Sequence, residues 1–383
     1  MESGKKVLVI DDEAINNKLI RKLLSGFGME AVTLTDPTQV FTALEQELPD
    51  LILLDLMMPV QDGFTTLSLI KDHHQYKELP VIILSGEASE DILARCLKIG
   101  AVDYLTKPVR KMELEARVTS AIKLAELNRD LNSKLIELQN VNNSIAAELD
   151  LARRIQMSII GAAKISCPGL KVVSHLEIAN RLGGDFYDVK QDGDLVIGTI
   201  ADVSGHGVSS SLIVMMLKAL LNSFANAEHS PADLLGILHR QLFSTIPKGF
   251  YIALSHFVYQ AADGVLTFSN GGLYEAIVVR RDGTIELKGS KSFAVAFISR
   301  QDFRETEIRL HPGDKVVFHT DGINEAVNEK GEMYSRDRLI QIVSENYNSN
   351  ADVIMEAILM DRKLFIGETV PEDDSTIMIL EAE

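Results

Sequence analysis

The stretch TIADVSGHGVSS, Thr199–Ser210, decides how the larger half of this chain folds. The apolar run LVIGTIA leads into one carboxylate, Asp202, and the run SLIVMMLKALLNSF that follows has helical character. Between them lie Ser204, Gly205, His206 and Gly207. A strand thus delivers a single aspartate to a glycine turn, where backbone can approach a ligand closely. Two chemistries compete there: a Ser204–His206 nucleophile, or Asp202 as a metal ligand. The serine reading lacks a G-x-S-x-G elbow and an assigned third member. Asp202 is therefore taken as the chemistry, with Ser204 and His206 shaping the turn.

Other segments repeat the pattern. LGGDFYD carries Asp185, KVVFHTDGINEA carries Asp321, and the last strand, STIMILEAE, is preceded by Asp373 and Asp374. From about residue 165 the chain is strand-rich, with hairpin turns at QDGD, AADG and RRDG. One Asp-Gly is a turn and nothing more. Several strand-end carboxylates with few His or Cys ligands favour Mg²⁺ or Mn²⁺ over Zn²⁺. A bridging carboxylate can hold two such ions, which activate a water and clamp a phosphoryl group.

The first third reads differently. KVLVI, DLILLDLMMP, LPVIILS and AVDYLTKP are short apolar strands that alternate with helical runs, the pattern of a parallel sheet. They end on Asp11 and Asp12, on Asp55, on Ser85 and on Lys107. The carboxyl ends of parallel strands form the ligand crevice, so these residues should share one rim. Three carboxylates there call for a cation, and an oxygen set of this kind suits Mg²⁺. A hydroxyl and an ammonium beside it suit phosphoryl oxygens.

No Pro or Gly occurs from Met112 to Ile160. Leu124, Asn128, Leu131, Leu135, Leu138, Asn142, Ile145, Leu149 and Ala152 follow heptad spacing, and Leu127 widens the seam. One long helix forming a parallel coiled-coil dimer is expected. The 383 residues are too many for one core. A net charge of -17 argues against nucleic acid as a partner. Two cysteines, no membrane-length apolar run and no signal-peptide pattern point to a cytoplasmic chain without a membrane partner.

Residues 1 to about 122 resemble a response-regulator receiver domain, through the pair Asp11–Asp12, the segment LLDLMMPVQDG, the LSG site and the TKP lysine. The resemblance implies that Asp55 accepts phosphate from a histidine kinase. It implies that Asp11, Asp12 and Asp55 hold Mg²⁺ with help from the Met57 carbonyl. Ser85 and Tyr104 would be the switch pair, and Lys107 would contact the phosphoryl group.

From about Leu151 onward the chain resembles the metal-dependent PPM-type serine/threonine phosphatases of the SpoIIE-like branch. The motifs are GGDFYD, ADVSGHG, HTDGINEA and EDDST, and ARRIQMSI (Ala152–Ile159) resembles that family's leading helical segment. By resemblance, Asp202 and Asp321 are the catalytic centre of a site for two Mn²⁺ or Mg²⁺ ions. Asp202 bridges the ions, the Val203 carbonyl serves the second, Asp321 and Asp373 complete the first, and Asp185 holds water on the second. Asp374 is the adjacent alternative to Asp373. SNGGLYEA and KSFAVAF depart from the family's usual Asn-Ala-Gly-His and Pro-Leu-Gly stretches, which bears on substrate choice.

The expected fold is thus α/β: a doubly wound parallel-sheet receiver (1–122), a helical coiled-coil linker (123–160) and an α+β phosphatase domain (161–383) with a β-sandwich core flanked by helices. The expected function is a response regulator whose aspartyl phosphorylation controls a serine/threonine phosphatase. Its substrate would be a phosphorylated anti-anti-sigma (STAS) type protein, opposed by a separate kinase. A diguanylate-cyclase reading of GGDFYD leaves ADVSGHG, TDG and EDDST unexplained. The alternative is a non-enzymatic adaptor, yet all the expected carboxylates are present.

Overall fold

The computed structural model describes residues 4–86 and 90–383. By internal contacts it falls into two compact units, Met1–Asn143 and Ser144–Glu383.

The first unit alternates strands and helices: β1 (Lys6–Ile10), α1 (Ala14–Ser25), β2 (Glu30–Leu34), α2 (Val40–Glu47), β3 (Leu51–Asp55), α3 (Gly63–Asp72), β4 (Val81–Ser85), α4 (Glu90–Ile99) and β5 (Asp103–Thr106). The strands pair in parallel in the order β2-β1-β3-β4-β5. Val40, Leu44, Leu67, Ile70 and Cys96 cover one face, and Ile20, Leu24, Leu114 and Val118 cover the other. Burial on both faces explains why LILLD and VIILS are unbroken apolar runs rather than alternating ones.

Helix α5 (Lys111–Ile159) is 49 residues long. Its first turns are packed through Leu114, Val118 and Ile122. Beyond them the apolar seam is open: Leu131, Leu135, Leu138 and Ile145 are 57%, 54%, 60% and 50% exposed.

The second unit follows with β6 (Lys164–Cys167), β7 (Leu170–Glu177), β8 (Asp185–Asp192), β9 (Leu195–Val203), α6 (Val208–Phe224), α7 (Pro231–Phe243), β10 (Ile252–Gln260) and β11 (Val265–Gly271). Then come β12 (Ala276–Val279), β13 (Ile285–Lys288), β14 (Glu305–Arg309), β15 (Lys315–His319), α8 (Asp321–Asn324), α9 (Arg336–Glu345), α10 (Ala351–Ile366) and β16 (Ser375–Ala382). They build two antiparallel sheets, β14-β11-β10-β9-β8 and β13-β12-β15-β16-β7-β6. Val196, Ile200, Phe257 and Phe268 of the first sheet meet Val172, Phe318, Met378 and Leu380 of the second in one core. The outer face of the first sheet is covered by α6 and α7, and that of the second by α9 and α10. The layers are helices, sheet, sheet, helices, as expected for a β-sandwich core flanked by helices.

Gly198 of β9 pairs with Phe257 of β10. A Cβ there would lie 2.2 Å from the Phe257 ring, which stacks on Phe318 at 5.8 Å. Gly198→Ala should therefore force the ring from its place and destabilise this unit by roughly 1–3 kcal/mol. Chemical denaturation followed by near-UV circular dichroism would measure the loss.

Candidate active site and phosphoacceptor rim

In the first unit, Asp11, Asp12 and Asp55 each offer a carboxylate oxygen within 4.8 Å of the others. Asp11 and Asp55 are buried. Lys107 follows β5 and bonds both, at 2.7 Å to Asp11 and 2.8 Å to Asp55. Burial pushes the Asp55 pKa up, and Lys107 offsets only part of that rise. Burial works against the Lys107 charge, but its bonds to Asp11 and Asp55 win and hold its pKa above the usual value. The Met57 N–H donates to the Asp55 carboxylate. Ser85 ends β4, 2% exposed.

Tyr104 on β5 lies under the guanidinium of Arg117, 5.5 Å from its ring centre, and Arg117 also bonds Asp103 at 2.6 Å. Arg117 belongs to α5.

In the second unit, the antiparallel ladder sets Asp185 directly opposite Asp202. Like charges in that position repel. Burial first, then Asp202, drives the Asp185 pKa well up. Burial, then Asp321 and Asp373, drives the Asp202 pKa up. Burial and Asp373 do the same to Asp321. Mutual repulsion of buried carboxylates is what a divalent cation relieves, so the donor set fits Mg²⁺ or Mn²⁺. Among the described residues, no three carboxylates of this unit draw together as tightly as those of the rim. Asp202, Asp321 and Asp373 line one cavity of about 750 Å³, together with Ser204, His206 and Tyr251.

The two sheets meet at this point through hydrogen bonds. Thr320, next to Asp321, donates to Asp185 Oδ2 at 2.8 Å, and Thr376 donates to the same oxygen at 2.6 Å. The two aspartates of EDDST separate clearly. Asp373 is exposed to the cavity. Asp374 is 5% exposed, and its carboxylate accepts the backbone N–H of Ala179 at 2.8 Å, of Gly184 at 2.7 Å, and of Asp185. Asp374 is thus occupied as an anchor for the GGD loop, while Asp373 faces the cavity.

Glycine makes these approaches possible. A Cβ on Gly184 would lie 2.5 Å from the Val203 carbonyl oxygen, and one on Gly322 would lie 1.8 Å from the Asp374 carbonyl oxygen. Ser204 Oγ accepts the Tyr251 N–H at 2.9 Å, and the Ser204 N–H donates to the Tyr251 carbonyl at 3.0 Å. That is turn chemistry, and no Ser204–His206 bond occurs among the described residues. Sequence reasoning missed Thr320 and Thr376, although each lies within a quoted motif, HTDGINEA and EDDST. It also missed Lys218 of α6, which bonds the second aspartate of GGDFYD, Asp188, at 2.6 Å.

Comparison with known proteins agrees with this division. Residues 192–383 match the family of Stage II sporulation protein E (SpoIIE), and residues 7–119 match the response regulator receiver domain. The phosphoserine phosphatase RsbU of Bacillus subtilis (strain 168) is 22% identical over 244 residues, covering 63% of this chain and 72% of RsbU. The probable transcriptional regulator ycf27 of Guillardia theta is 32% identical over 156 residues, 40% of this chain and 59% of that protein. The chain spans only that 59% of the Guillardia theta protein, and 50% of the ycf27 regulator of Cyanophora paradoxa. Among solved structures, the SiaA-PP2C domain of Pseudomonas aeruginosa superposes with a TM-score of 0.55 at 22% identity, over 63% of this chain and 99% of that one. The RsbU and RsbW domains of Rv1364c from Mycobacterium tuberculosis give 0.50 at 18% identity, over 58% and 63%. These two likenesses speak to the fold.

Gly322→Ala must push the Asp321 turn off Asp374. Displacing a site carboxylate by about 1 Å should lower hydrolysis of an aryl phosphate by roughly 100-fold. Phosphorylation of Asp55 from acetyl phosphate should be unchanged, which separates the two units in one assay pair.

Proposed function

The chain belongs to the SpoIIE family, with a receiver ahead of that domain, and from this premise we propose that it is a response regulator whose phosphorylation at Asp55 controls a protein serine/threonine phosphatase centred on Asp202. The assignment divides the chain into a receiver (1–122), a connector (123–160) and a phosphatase domain (161–383). The observation that carries it is Asp202: opposite Asp185 in the ladder, crowded by the like charges of Asp321 and Asp373, and lining the cavity it shares with them.

Asp202, Asp321, Asp373, Asp185 and the Val203 carbonyl would hold two Mn²⁺ or Mg²⁺ ions. When bound, such ions supply Lewis acidity toward a phosphoryl oxygen and lower the pKa of water. The chain's own contribution is geometric. Thr320 and Thr376 fix Asp185, Asp374 fixes the loop before it, and the Ser204–Tyr251 bonds fix the turn after Asp202. The half-closed cavity admits a phosphorylated side chain of another protein. Similarity to RsbU, whose name is phosphoserine phosphatase, supports a phosphoserine substrate, and we take its carrier to be a protein of the anti-anti-sigma type, as the family resemblance implies. No helix of the described residues is long and apolar enough to cross a membrane, and a cytoplasmic setting suits this role.

In the receiver, Asp11, Asp12, Asp55 and the Met57 carbonyl would hold one Mg²⁺. Lys107 would neutralise the phosphoryl group transferred from a histidine kinase to Asp55. Ser85 and Tyr104 would respond to it. Tyr104 and Asp103 both touch Arg117 on α5, so a change at this pair reaches the connector directly. The open leucine seam of that helix is the surface for a second copy of the chain.

Asp202→Asn should abolish release of phosphate from a phosphoserine protein and from an aryl phosphate, because an amide cannot supply the bridging charge. Chelation by EDTA should do the same to the native chain. Full activity in either case rejects the metal-site reading.

Replacing Leu131, Leu138 and Ile145 with polar residues should halve the mass seen by light scattering and leave phosphatase rate indifferent to Asp55 phosphorylation. A dimeric triple variant that still responds would reduce the connector to a tether.

A further inference from the structure

ARRIQMSI, in the last turns of α5, contains one polar side chain that is buried where its neighbours are not. Gln156 is 2% exposed, while Ile155 and Met157 are 49% and 44% exposed. A buried amide must satisfy both its donor and its acceptor. Gln156 does so on a single partner: Nε2 donates to the Gly183 carbonyl at 2.7 Å, and Oε1 accepts the Gly183 N–H at 3.3 Å.

Gly183 is the first glycine of the GGD loop, two residues before Asp185. Its other side is closed by Asp374, because a Cβ on Gly183 would lie 2.4 Å from Asp374 Oδ2. The same oxygen accepts the Gly184 N–H at 2.7 Å. The loop that carries Asp185 is therefore gripped twice, by Asp374 from the start of β16 and by Gln156 from the connector helix. Both bonds to Gly183 come from one side chain, so a small rotation or slide of α5 misaligns them together.

We propose that Gln156 is a positioning residue for the divalent-metal site: it fixes Gly183, thereby sets where Asp185 stands, and makes the last turn of the connector part of the site's support. The inference rests on the metal-phosphatase reading above. It adds the point at which that site is adjusted: movement of α5 acts on metal affinity through the GGD loop.

The test uses the full chain carrying Asp12→Asn and Asp55→Asn, so that the receiver carboxylates hold no ion. Mn²⁺ binding is followed by the electron paramagnetic resonance signal of the free ion, beside the Mn²⁺ dependence of aryl phosphate hydrolysis. Gln156→Ala and Gln156→Met are compared; the methionine keeps length and burial without hydrogen bonds, so the result does not hang on the alanine variant folding. Both should need about tenfold more Mn²⁺ for half-saturation, the lower end of what supporting residues of metal ligands contribute. The rate at saturating Mn²⁺ should stay within about twofold of the parent chain. Half-saturation within about twofold of the parent in both variants overturns the proposal. So does a fall in the saturated rate with affinity intact, which a purely structural role would give. If the parent chain itself binds no Mn²⁺ while Asp202→Asn behaves identically, the metal-site reading fails instead, and the two failures are distinct.

Discussion

Crowded negative charge governs the second unit. Asp185, Asp202, Asp321, Asp373 and Asp374 gather where the two sheets of the sandwich meet. Two such charges 4 Å apart repel by roughly 4 kcal/mol at the effective dielectric of a protein surface. An apolar core alone would let the strand ends splay. Hydrogen bonds across the sheets prevent it: two threonine hydroxyls on Asp185 and three backbone N–H groups on Asp374. Glycine at 183, 184 and 322 is required because those donors and acceptors meet at distances no Cβ allows. The site is thus assembled against its own electrostatics, and the binding of cations would be the return on that strain.

The receiver rim meets the same constraint with another device. It gathers three carboxylates but supplies its own cation, Lys107, bonded to Asp11 and Asp55 at once. Under the proposed reading this resident ammonium would stand ready for the oxygens of a transferred phosphoryl group. On that reading the two units use aspartates differently: at the rim a carboxylate would itself be the acceptor of chemistry, and in the sandwich the carboxylates would only hold the ions that perform it.

Asp202 and Asp321 were legible because each is announced locally, by an apolar run before it and glycine shortly after it, and Asp185 by the glycine pair before it. What holds them was not. Gly184 and Asp374 are 190 residues apart, and Asp185 and Thr376 are 191 apart, so no window of sequence contains either bond. Asp373 and Asp374 are neighbours with identical side chains, and only the fold separates the one that faces the cavity from the one bonded to the GGD loop. Gln156 looked like any polar residue of an amphipathic helix, since nothing in ARRIQMSI shows that this one position meets a loop 27 residues later. The parallel sheet and the alternation of helices were readable from unbroken apolar strands. The full order of the eleven strands in the sandwich was not, because the pairings β14 with β11, β12 with β15 and β16 with β7 join strands distant in sequence.

The connector was legible as a continuous helix, and the structure adds what each end does. Near its start Arg117 bonds Asp103 and covers Tyr104; near its finish Gln156 grips Gly183. Between these contacts α5 contains no glycine or proline, the residues at which helices most readily kink. Under the proposed reading a second α5 in heptad register would cover the exposed leucine seam, because its periodicity matches. Asn128 and Asn142 occupy seam positions, where a polar side chain tolerates one register and penalises others. A dimer built this way does not merely join two copies. It would restrict the helix to a few discrete registers, each of which would present Gln156 to Gly183 differently. Under the proposed reading, the receiver chooses among registers, and the choice is felt as the affinity of the carboxylate cluster for its ions.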